Sequence, residues 1–328
     1  MNKVFKVIWN HATQTWTAVS ELGHAKGKTK SKKIVKLTAL AGAVVTALGV
    51  SQVADAAVDL GNSAVNISPN GTYNGSNKNV LQNSVVVGYQ NTASAADGTI
   101  AYGANNTATA EAAVAVGNNN KAIHNNAVAI GTTTVASGDS SIAIGKLTEA
   151  TQIRATAVGN RATATGDSAS AYGNRANASA QFATAIGDNS HASAAAVAVG
   201  TNANASHQDS IAIGNNAKGN WTNAIAVGKD TQANQDHAIA MGTSANTSGI
   251  QAVGIGSYSR ADANSSVALG QEAKVSNKAA TAAVAVGYKA DASAANTVAT
   301  GMSSKASVDN AVAVGVQSNA SARAASAL

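Results

Sequence analysis

Cysteine is absent from this 328-residue chain, and only one proline, Pro69, is present. The absence of cysteine excludes disulfide bonds and thiolate metal sites. Aromatic residues make up only 3% of the sequence and charged residues 12%, whereas hydrophobic residues as a class reach 45%. A thick core of large side chains is therefore excluded, and small residues must pack closely instead.

The excess of positive over negative charge is confined to the N-terminal region. The formal net charge is +6 and the sequence pI is near 9.4. Eight of the 22 basic residues, but only two of the 16 acidic ones, precede residue 57, so the remainder is formally neutral. A nucleic-acid partner requires a basic surface, and its absence from the remainder excludes this class of partner.

The first 56 residues have the order of a secretory signal. The basic run KGKTKSKK at 26–33 precedes the uncharged apolar run LTALAGAVVTALGV at 37–50. Small residues in Ala54-Asp55-Ala56 then fit a cleavage site, which predicts cleavage between Ala56 and Ala57. A transmembrane helix is the alternative, but the apolar run is shorter than the roughly 20 residues that span a bilayer.

The segment before the basic run is too long for an ordinary signal peptide. Its pieces MNK at 1–3, VIWN at 7–10, Trp16 and AVSEL at 18–22 resemble the extended signal peptide region of type V secretion (autotransporter-class) proteins of Gram-negative bacteria. This resemblance implies export across the inner membrane and display at the cell surface.

From residue 84 onward the sequence repeats itself. The motif AVAVG at 113–117 returns as AVAIG at 127–131, and most closing glycines are 14 residues apart, with exceptions of 13, 15 and 17. A fixed period of this length predicts one solenoid domain rather than the two or so globular domains that length alone suggests. The repeat glycines are Gly88, Gly103, Gly117, Gly131, Gly145, Gly159, Gly173, Gly187, Gly200, Gly214, Gly228, Gly242, Gly256, Gly270, Gly287, Gly301 and Gly315.

Each repeat predicts two strands and two turns. Valine or isoleucine at alternate positions, with alanine between, indicates a strand in close contact on both faces. The closing glycine indicates a sharp turn with positive φ, and the polar spacer a second, more exposed strand. A roll this thin is expected to leave the alanine-bearing face of one wall exposed as an apolar stripe, which favours symmetric self-association.

The motifs NSVVVG at 83–88, DSSIAIG at 139–145 and DSIAIG at 209–214 resemble the head repeats of trimeric autotransporter adhesins. The resemblance covers residues 84–315. It implies an all-β fold, a left-handed parallel β-roll that forms a homotrimer, and adhesion to host matrix proteins, host cell surfaces or other bacterial cells.

The resemblance also predicts the domain organisation. Residues 1–56 are expected to form the extended signal peptide, 57–83 an N-terminal cap, 84–315 the head roll and 316–328 the end of the head. This family continues into a stalk and an outer-membrane anchor, whereas the sequence ends in SNASARAASAL with neither, so we expect a fragment or a truncated gene product. Three extra residues within 270–287 are expected to bulge from one corner.

Residues that could carry chemistry are few, and no catalytic, cofactor-binding or metal site is predicted. His124 and His207 occupy equivalent repeat positions but lie several coils apart. Asp139 and Asp167 fit turns better than a glycosidase pair, which needs a cleft. Trp221, the only tryptophan after Trp16, lies at a polar corner and is either a ligand contact or packed against a neighbouring coil or chain.

Three classes of function can be compared. The signal, the repeat and the implied trimer favour a surface adhesin. A passive structural or ice-binding β-solenoid is the alternative, but its regular threonine rows are missing because threonine is scattered here. An enzyme would need a localised acidic, aromatic-lined groove, which the sequence does not indicate.

We expect the exported protein to begin at Ala57, because small residues occupy positions 54 and 56. N-terminal sequencing or the intact mass of exported protein measures this directly. A start before Leu37 would contradict the assignment of a cleaved signal.

Overall fold

The computed structural model of the chain describes residues 5–10, 15–20, 57–59, 65–73, 84–93 and 98–328. The apolar signal run and Ala54–Ala56 lie outside the described residues. The chain divides into two units, Met1–Ala54 and Asp55–Leu328. In the first unit, β1 (Phe5–Asn10) pairs antiparallel with β2 (Thr15–Ser20).

The second unit is a parallel β-solenoid in which most coils contribute one long strand, which ends within one residue of a repeat glycine, and one short strand. It begins with β3 (Ala57–Asp59), β4 (Val65–Tyr73) and β5 (Val85–Ala93). The following strands alternate long and short: β6 (Ile100–Ala104), β7 (Thr107–Ala108), β8 (Val114–Asn118), β9 (Lys121–Ala122), β10 (Val128–Thr132), β11 (Val135–Ala136), β12 (Ile142–Lys146), β13 (Glu149–Ala150), β14 (Thr156–Asn160), β15 (Thr163–Ala164), β16 (Ser170–Tyr172), β17 (Asn177–Ala178), β18 (Thr184–Ile186), β19 (His191–Ala192), β20 (Val197–Val199), β21 (Asn204–Ala205), β22 (Ile211–Ile213), β23 (Lys218–Gly219), β24 (Ile225–Val227), β25 (Gln232–Ala233), β26 (Ile239–Met241), β27 (Asn246–Thr247), β28 (Val253–Ile255), β29 (Arg260–Ala261), β30 (Val267–Leu269), β31 (Lys274–Val275), β32 (Val284–Val286), β33 (Asp291–Ala292), β34 (Val298–Thr300), β35 (Lys305–Ala306), β36 (Val312–Val314), β37 (Asn319–Ala320) and β38 (Ser326–Ala327).

Equivalent residues of successive coils pair with each other throughout the roll. In β10, Ala129 pairs in parallel with Ala115 on one side and Ala143 on the other. The short strands pair in the same way, and the prediction of an all-β parallel roll with coils of about 14 residues is confirmed. β3 pairs antiparallel with β4, which pairs in parallel with β5, so the parallel ladder begins at Val65. A separate cap ending at residue 83 stays a prediction.

Alanine builds the interior of the roll. The middle residue of a long strand and the second residue of a short strand point between the two walls, as Ala129 and Ala136 do, and both are fully buried. Val128 and Ile130 point outward and are partly exposed. The expectation that the alanine face would form the exposed stripe is therefore wrong. The walls lie so close together that each contributes little more than a methyl group, and the larger branched side chains must point outward.

Departures from alanine in the interior show how little room it offers. Thr247 occupies a position that is usually alanine, and glycine replaces alanine at position 254. A methyl group on Gly254 would lie 2.5 Å from Oγ1 of Thr247, so the larger residue is matched by a smaller one. The fully buried Val275 lies in the one 17-residue coil, between Gly270 and Gly287.

The three extra residues of that coil do not interrupt the roll. They lie between β31 and β32, and β30 still pairs with β32 in parallel, with Val267 opposite Val284. Asn277 stabilises the enlarged corner, because its Nδ2 donates to the carbonyl oxygen of Ser293 at 2.9 Å. The predicted bulge at one corner is confirmed.

The repeat glycines have backbone angles that favour glycine. All seventeen have φ between +114° and +143°. A methyl group on any of them except Gly315 would overlap the carbonyl oxygen of the repeat glycine in the next coil. The constraint is therefore both conformational and steric, because each coil must pass close to the next.

The two corners of each coil also contain a residue in the left-handed region that is mostly not glycine. These residues have φ between +51° and +60°, and they include Leu147, Phe182 and Tyr258. Isolated L-residues rarely adopt this conformation. Here each corner is hydrogen-bonded to the corners of adjacent coils; the backbone N–H of Leu147, for instance, donates to the carbonyl oxygen of Thr132 at 2.9 Å.

We expect Gly214→Val to destabilise the roll by about 1 to 3 kcal/mol, because the new side chain meets both an unfavourable φ and the backbone of the next coil. Gly98→Asn is the matched control, since asparagine tolerates positive φ and a Cβ at Gly98 finds its nearest neighbour 3.9 Å away. Thermal unfolding of both variants measures the difference. Unchanged melting of Gly214→Val would contradict the prediction.

Candidate interaction surfaces

One outer face of the roll is an apolar stripe that runs along the stacked long strands. We define the apolar stripe as the residues three positions and one position before each repeat glycine. The first column is Val85, Ile100, Val114, Val128, Ile142, Thr156, Ser170, Thr184, Val197, Ile211, Ile225, Ile239, Val253, Val267, Val284, Val298 and Val312. The second column is Val87, Tyr102, Val116, Ile130, Ile144, Val158, Tyr172, Ile186, Val199, Ile213, Val227, Met241, Ile255, Leu269, Val286, Thr300 and Val314.

The stripe is open to solvent in a single chain. First-column residues such as Val128 are partly exposed, and in the second column Tyr102 reaches 53% exposure and Met241 38%. Monomeric proteins rarely expose contiguous apolar patches larger than about a few hundred Å². A stripe that runs through seventeen coils exceeds this by its length alone, and it has the character of an interface.

The opposite wall is polar. We define the polar wall by the outward residues four positions after each repeat glycine, at the start of the short strands. Among β7 to β37 these are Thr107, Lys121, Val135, Glu149, Thr163, Asn177, His191, Asn204, Lys218, Gln232, Asn246, Arg260, Lys274, Asp291, Lys305 and Asn319. Only Val135 is apolar, so the two outer faces of the roll differ in chemistry, and the polar wall suits solvent or a polar ligand.

Buried asparagines fix the corner beside the stripe in the first coils. Asn91, Asn106 and Asn120 stack as a ladder, and Nδ2 of Asn106 donates to the carbonyl oxygen of Gly117 at 2.8 Å. Oδ1 of Asn106 accepts from the backbone N–H of Asn120 at 3.1 Å. The ladder ends where Oγ1 of Thr134 donates to Oδ1 of Asn120 at 2.7 Å. The sequence analysis missed this ladder, although asparagine three residues after the repeat glycine in successive coils was a usable signal.

Trp221 packs against the preceding coil. Its ring stacks on the His207 ring with a centroid distance of 5.3 Å and an interplanar angle of 14°. Both residues lie seven positions after a repeat glycine, so they occupy the same corner in consecutive coils. Trp221 remains 42% exposed. His124 shares this repeat position with His207 and Trp221, and the shared position is the signal in the sequence from which the stack could have been predicted.

Charged residues form few close contacts, and the described residues contain no group of three or more His, Asp or Glu side chains able to hold a metal ion. Asp139 accepts a hydrogen bond from the Ser140 hydroxyl at 3.0 Å, as is typical of a turn residue. A hydrogen bond with Tyr288 and the charge of Glu272, whose Oε2 lies 3.7 Å from Nζ, raise the pKa of Lys289 above its ordinary value. No helix long and apolar enough to cross a membrane occurs among the described residues.

Two family models match the sequence. Residues 1–50 match the Extended Signal Peptide of Type V secretion system. The YadA head domain repeat matches residues 82–106, 125–148, 150–176, 178–196, 194–217, 222–245, 248–273 and 279–304.

Among solved structures, the crystal structure of the collagen-binding domain of the Yersinia adhesin YadA matches with 18% sequence identity. The match covers 63% of this chain and 67% of that chain, with a TM-score of 0.15. This score is too low for the fold to be inferred from that structure, and the fold rests on the strand pairing described above.

The two family models together describe a secreted surface protein. The extended signal peptide indicates export by a type V system to the cell surface of a Gram-negative bacterium. The head repeats account for most of residues 82–304 and indicate an adhesin head, a class of protein that is not enzymatic. With this signal peptide and these repeats, the chain belongs to the family of YadA-like trimeric autotransporter adhesins.

Proposed function

We propose that this chain forms a homotrimeric adhesin head whose three rolls associate through the apolar stripe. The single observation that supports this is the exposure of mostly branched apolar side chains along one outer face of the seventeen stacked coils. Assembly around a three-fold axis would cover the stripe of every roll and leave every polar wall in solvent. The chemistry of the two faces fits this arrangement.

The proposed ligands are host extracellular matrix, host cell surfaces or other bacteria, bound by many weak contacts. A trimer presents each polar-wall site three times, and multivalent contact with a surface that carries many ligands increases the apparent affinity. The localisation proposed for the mature protein is the bacterial outer surface. A binding array of the exported protein against matrix proteins and glycans would identify the ligand class.

The residues of the polar wall favour an adhesin over a passive or ice-binding solenoid. Flat ice-binding faces would need Thr-x-Thr in adjacent coils, but along the short strands this pattern occurs only at 107–109 and 163–165. The two sites are several coils apart. Charged residues such as Lys121 and Glu149 interrupt the rows between them.

We further propose that Trp221 and His207 contribute a ligand contact. Both aromatic rings lie at one polar corner, and Trp221 retains substantial exposure despite the stack. Asn220 precedes Trp221 in the chain, and its Nδ2 donates to Oδ1 of Asn234 at 2.6 Å. Such a corner can pair stacking with hydrogen bonding.

Trp221 supplies its own test, because it is the only tryptophan in the chain from Ala57 onward. We expect a ligand found in the binding array to change the tryptophan fluorescence of the exported protein, and Trp221→Ala to weaken binding. Phe182→Ala, at a different exposed corner position, is the control. Equal binding by Trp221→Ala and the unsubstituted protein would contradict a role for Trp221 in ligand contact.

For assembly, we expect sedimentation equilibrium of the exported protein to show trimers. Val128→Glu should shift the equilibrium toward monomers, because it places a charge in the apolar stripe. Lys218→Glu, on the polar wall, should leave the trimer unchanged. Adhesion should fall together with trimerisation in Val128→Glu. A folded monomer of the unsubstituted chain at high micromolar concentration with full adhesion would contradict the proposal.

A further inference from the structure

The two edges of the apolar stripe carry opposite charge. We define the leading edge as the residues six and five positions before each repeat glycine, and the trailing edge as the residues one and two positions after it. Acidic residues of the leading edge among the described residues are Glu111, Asp139, Asp167, Asp209, Asp236 and Asp309, against a single arginine, Arg154. The trailing edge has five cations, Lys146, Arg161, Arg175, Lys229 and Lys289, and three acids.

The unpaired cations of the trailing edge lie in three consecutive coils. Lys229 and Lys289 lie near Asp230 and Glu272 of the same chain, at 3.9 Å and 3.7 Å. By contrast, Lys146, Arg161 and Arg175 are exposed and have no ion-pair partner within the described part of the chain. These three cations are therefore available to another chain.

The matching acids lie across the same long strands. Asp139 and Lys146 flank the long strand that ends at Gly145, and Asp167 and Arg175 flank the one that ends at Gly173. Neither aspartate has an ion-pair partner among the residues that the structure describes. Each of these two strands thus carries an unpaired acid before the stripe and an unpaired base after it, whereas the strand between them, which ends at Gly159, is flanked by Arg154 and Arg161.

The opposite charges of the two edges distinguish parallel from antiparallel association of two copies. If copies are related by rotation about an axis parallel to the roll, the leading edge of one copy meets the trailing edge of the next at the same coil. An antiparallel arrangement would instead bring leading edge to leading edge, and acids to acids. The opposite charges on the two edges favour the parallel arrangement.

The first column of the apolar stripe carries hydroxyl groups instead of branched apolar side chains in nearly the same coils. This column is valine or isoleucine everywhere except at Thr156, Ser170 and Thr184, which lie in three successive coils. These hydroxyl groups have no hydrogen bond to other side chains or to backbone in the described residues. A hydroxyl buried opposite valine without a hydrogen-bond partner is unfavourable, whereas hydroxyls of copies in register can bond to each other.

We propose that residues 139–187 form a register key, that is, a segment that determines which coils of neighbouring copies lie side by side in the trimer. This inference rests on the proposed homotrimer and names the residues that align it. Asp139 and Asp167 of one copy pair with Lys146 and Arg175 of its neighbour, while Thr156, Ser170 and Thr184 of the three copies meet near the shared axis. Outside these three residues the first column is valine or isoleucine throughout and would tolerate a slip of one coil, about 4.8 Å. The key raises the free energy of slipped and antiparallel assemblies.

Charge reversal tests the edge pairing. We expect Lys146→Glu with Arg175→Glu to weaken association of the exported protein at least about tenfold at low ionic strength, because six contacts per trimer become repulsive. Adding Asp139→Lys and Asp167→Lys to the same chain should restore association. Lys218→Glu with Lys305→Glu on the polar wall is the matched control. Equal association of all four proteins, or failure of the combined reversal to restore it, would overturn the proposal.

Cross-linking tests the register in a chain that has no cysteine of its own. Ala194→Cys with Thr201→Cys places thiols on the two edges of one coil, and Ala194→Cys with Asn215→Cys offsets them by one coil. A short bis-maleimide should link neighbouring copies mainly through the first pair. Replacing Thr156, Ser170 and Thr184 by valine should raise linking through the offset pair toward the same level. No linking through either pair, or no change on replacement, would contradict the key.

Two different results would contradict the trimeric head and the register key. A monomer in sedimentation equilibrium would contradict the trimeric head itself. A trimer that is insensitive to edge charge and to the three hydroxyl groups would leave the trimeric head in place and remove only the register key.

Discussion

The narrow gap between the two walls of the roll is the constraint on which the rest of the structure depends. Methyl-sized side chains fill most of it, as the alanine columns and the match of Thr247 with Gly254 show, and the larger Val275 lies in the one enlarged coil. Valine and isoleucine must therefore point outward. A single chain then buries mainly alanine inside and exposes its larger apolar side chains outside, which is unfavourable for a soluble monomer. The constraint that shapes the coil therefore also favours association with further copies. Assembly is in this sense a consequence of coil geometry rather than an addition to it.

The corners explain why the coil is repeated rather than varied. Each corner holds residues in the left-handed region, including Leu147 and Phe182, and such conformations cost of order 1 to 3 kcal/mol each outside glycine. Backbone hydrogen bonds to the preceding and following coils offset this cost, and they form only when adjacent corners have the same conformation. Stability is then a sum over coil interfaces, as in other solenoids. Most variation is found in side chains that point into solvent, which is where ligand contacts and charge patterns can be placed.

Much of this architecture follows from the spacing of glycine and the alternation of alanine with branched residues. The period, the two strands per coil and the parallel stacking are all predicted by that pattern. Which face lies inside is not, because alanine and valine are both apolar and the gap is set by corner geometry that the sequence does not display. The left-handed corners at Leu147 and Tyr258 are equally hidden, since neither residue type signals positive φ. The His207–Trp221 stack could have been predicted by comparing repeat positions between consecutive coils.

The central claim is that the stripe side chains lie outside each roll and are covered only by other copies. Thiol reactivity of Val199→Cys tests it most directly, with Lys218→Cys on the polar wall as the reference. We expect the thiol at 199 to react far more slowly than the thiol at 218 in concentrated protein, and about as fast after dilution to monomers. Slow reaction at both concentrations would place the stripe inside the roll, and fast reaction at both would leave it uncovered; either result would contradict the account.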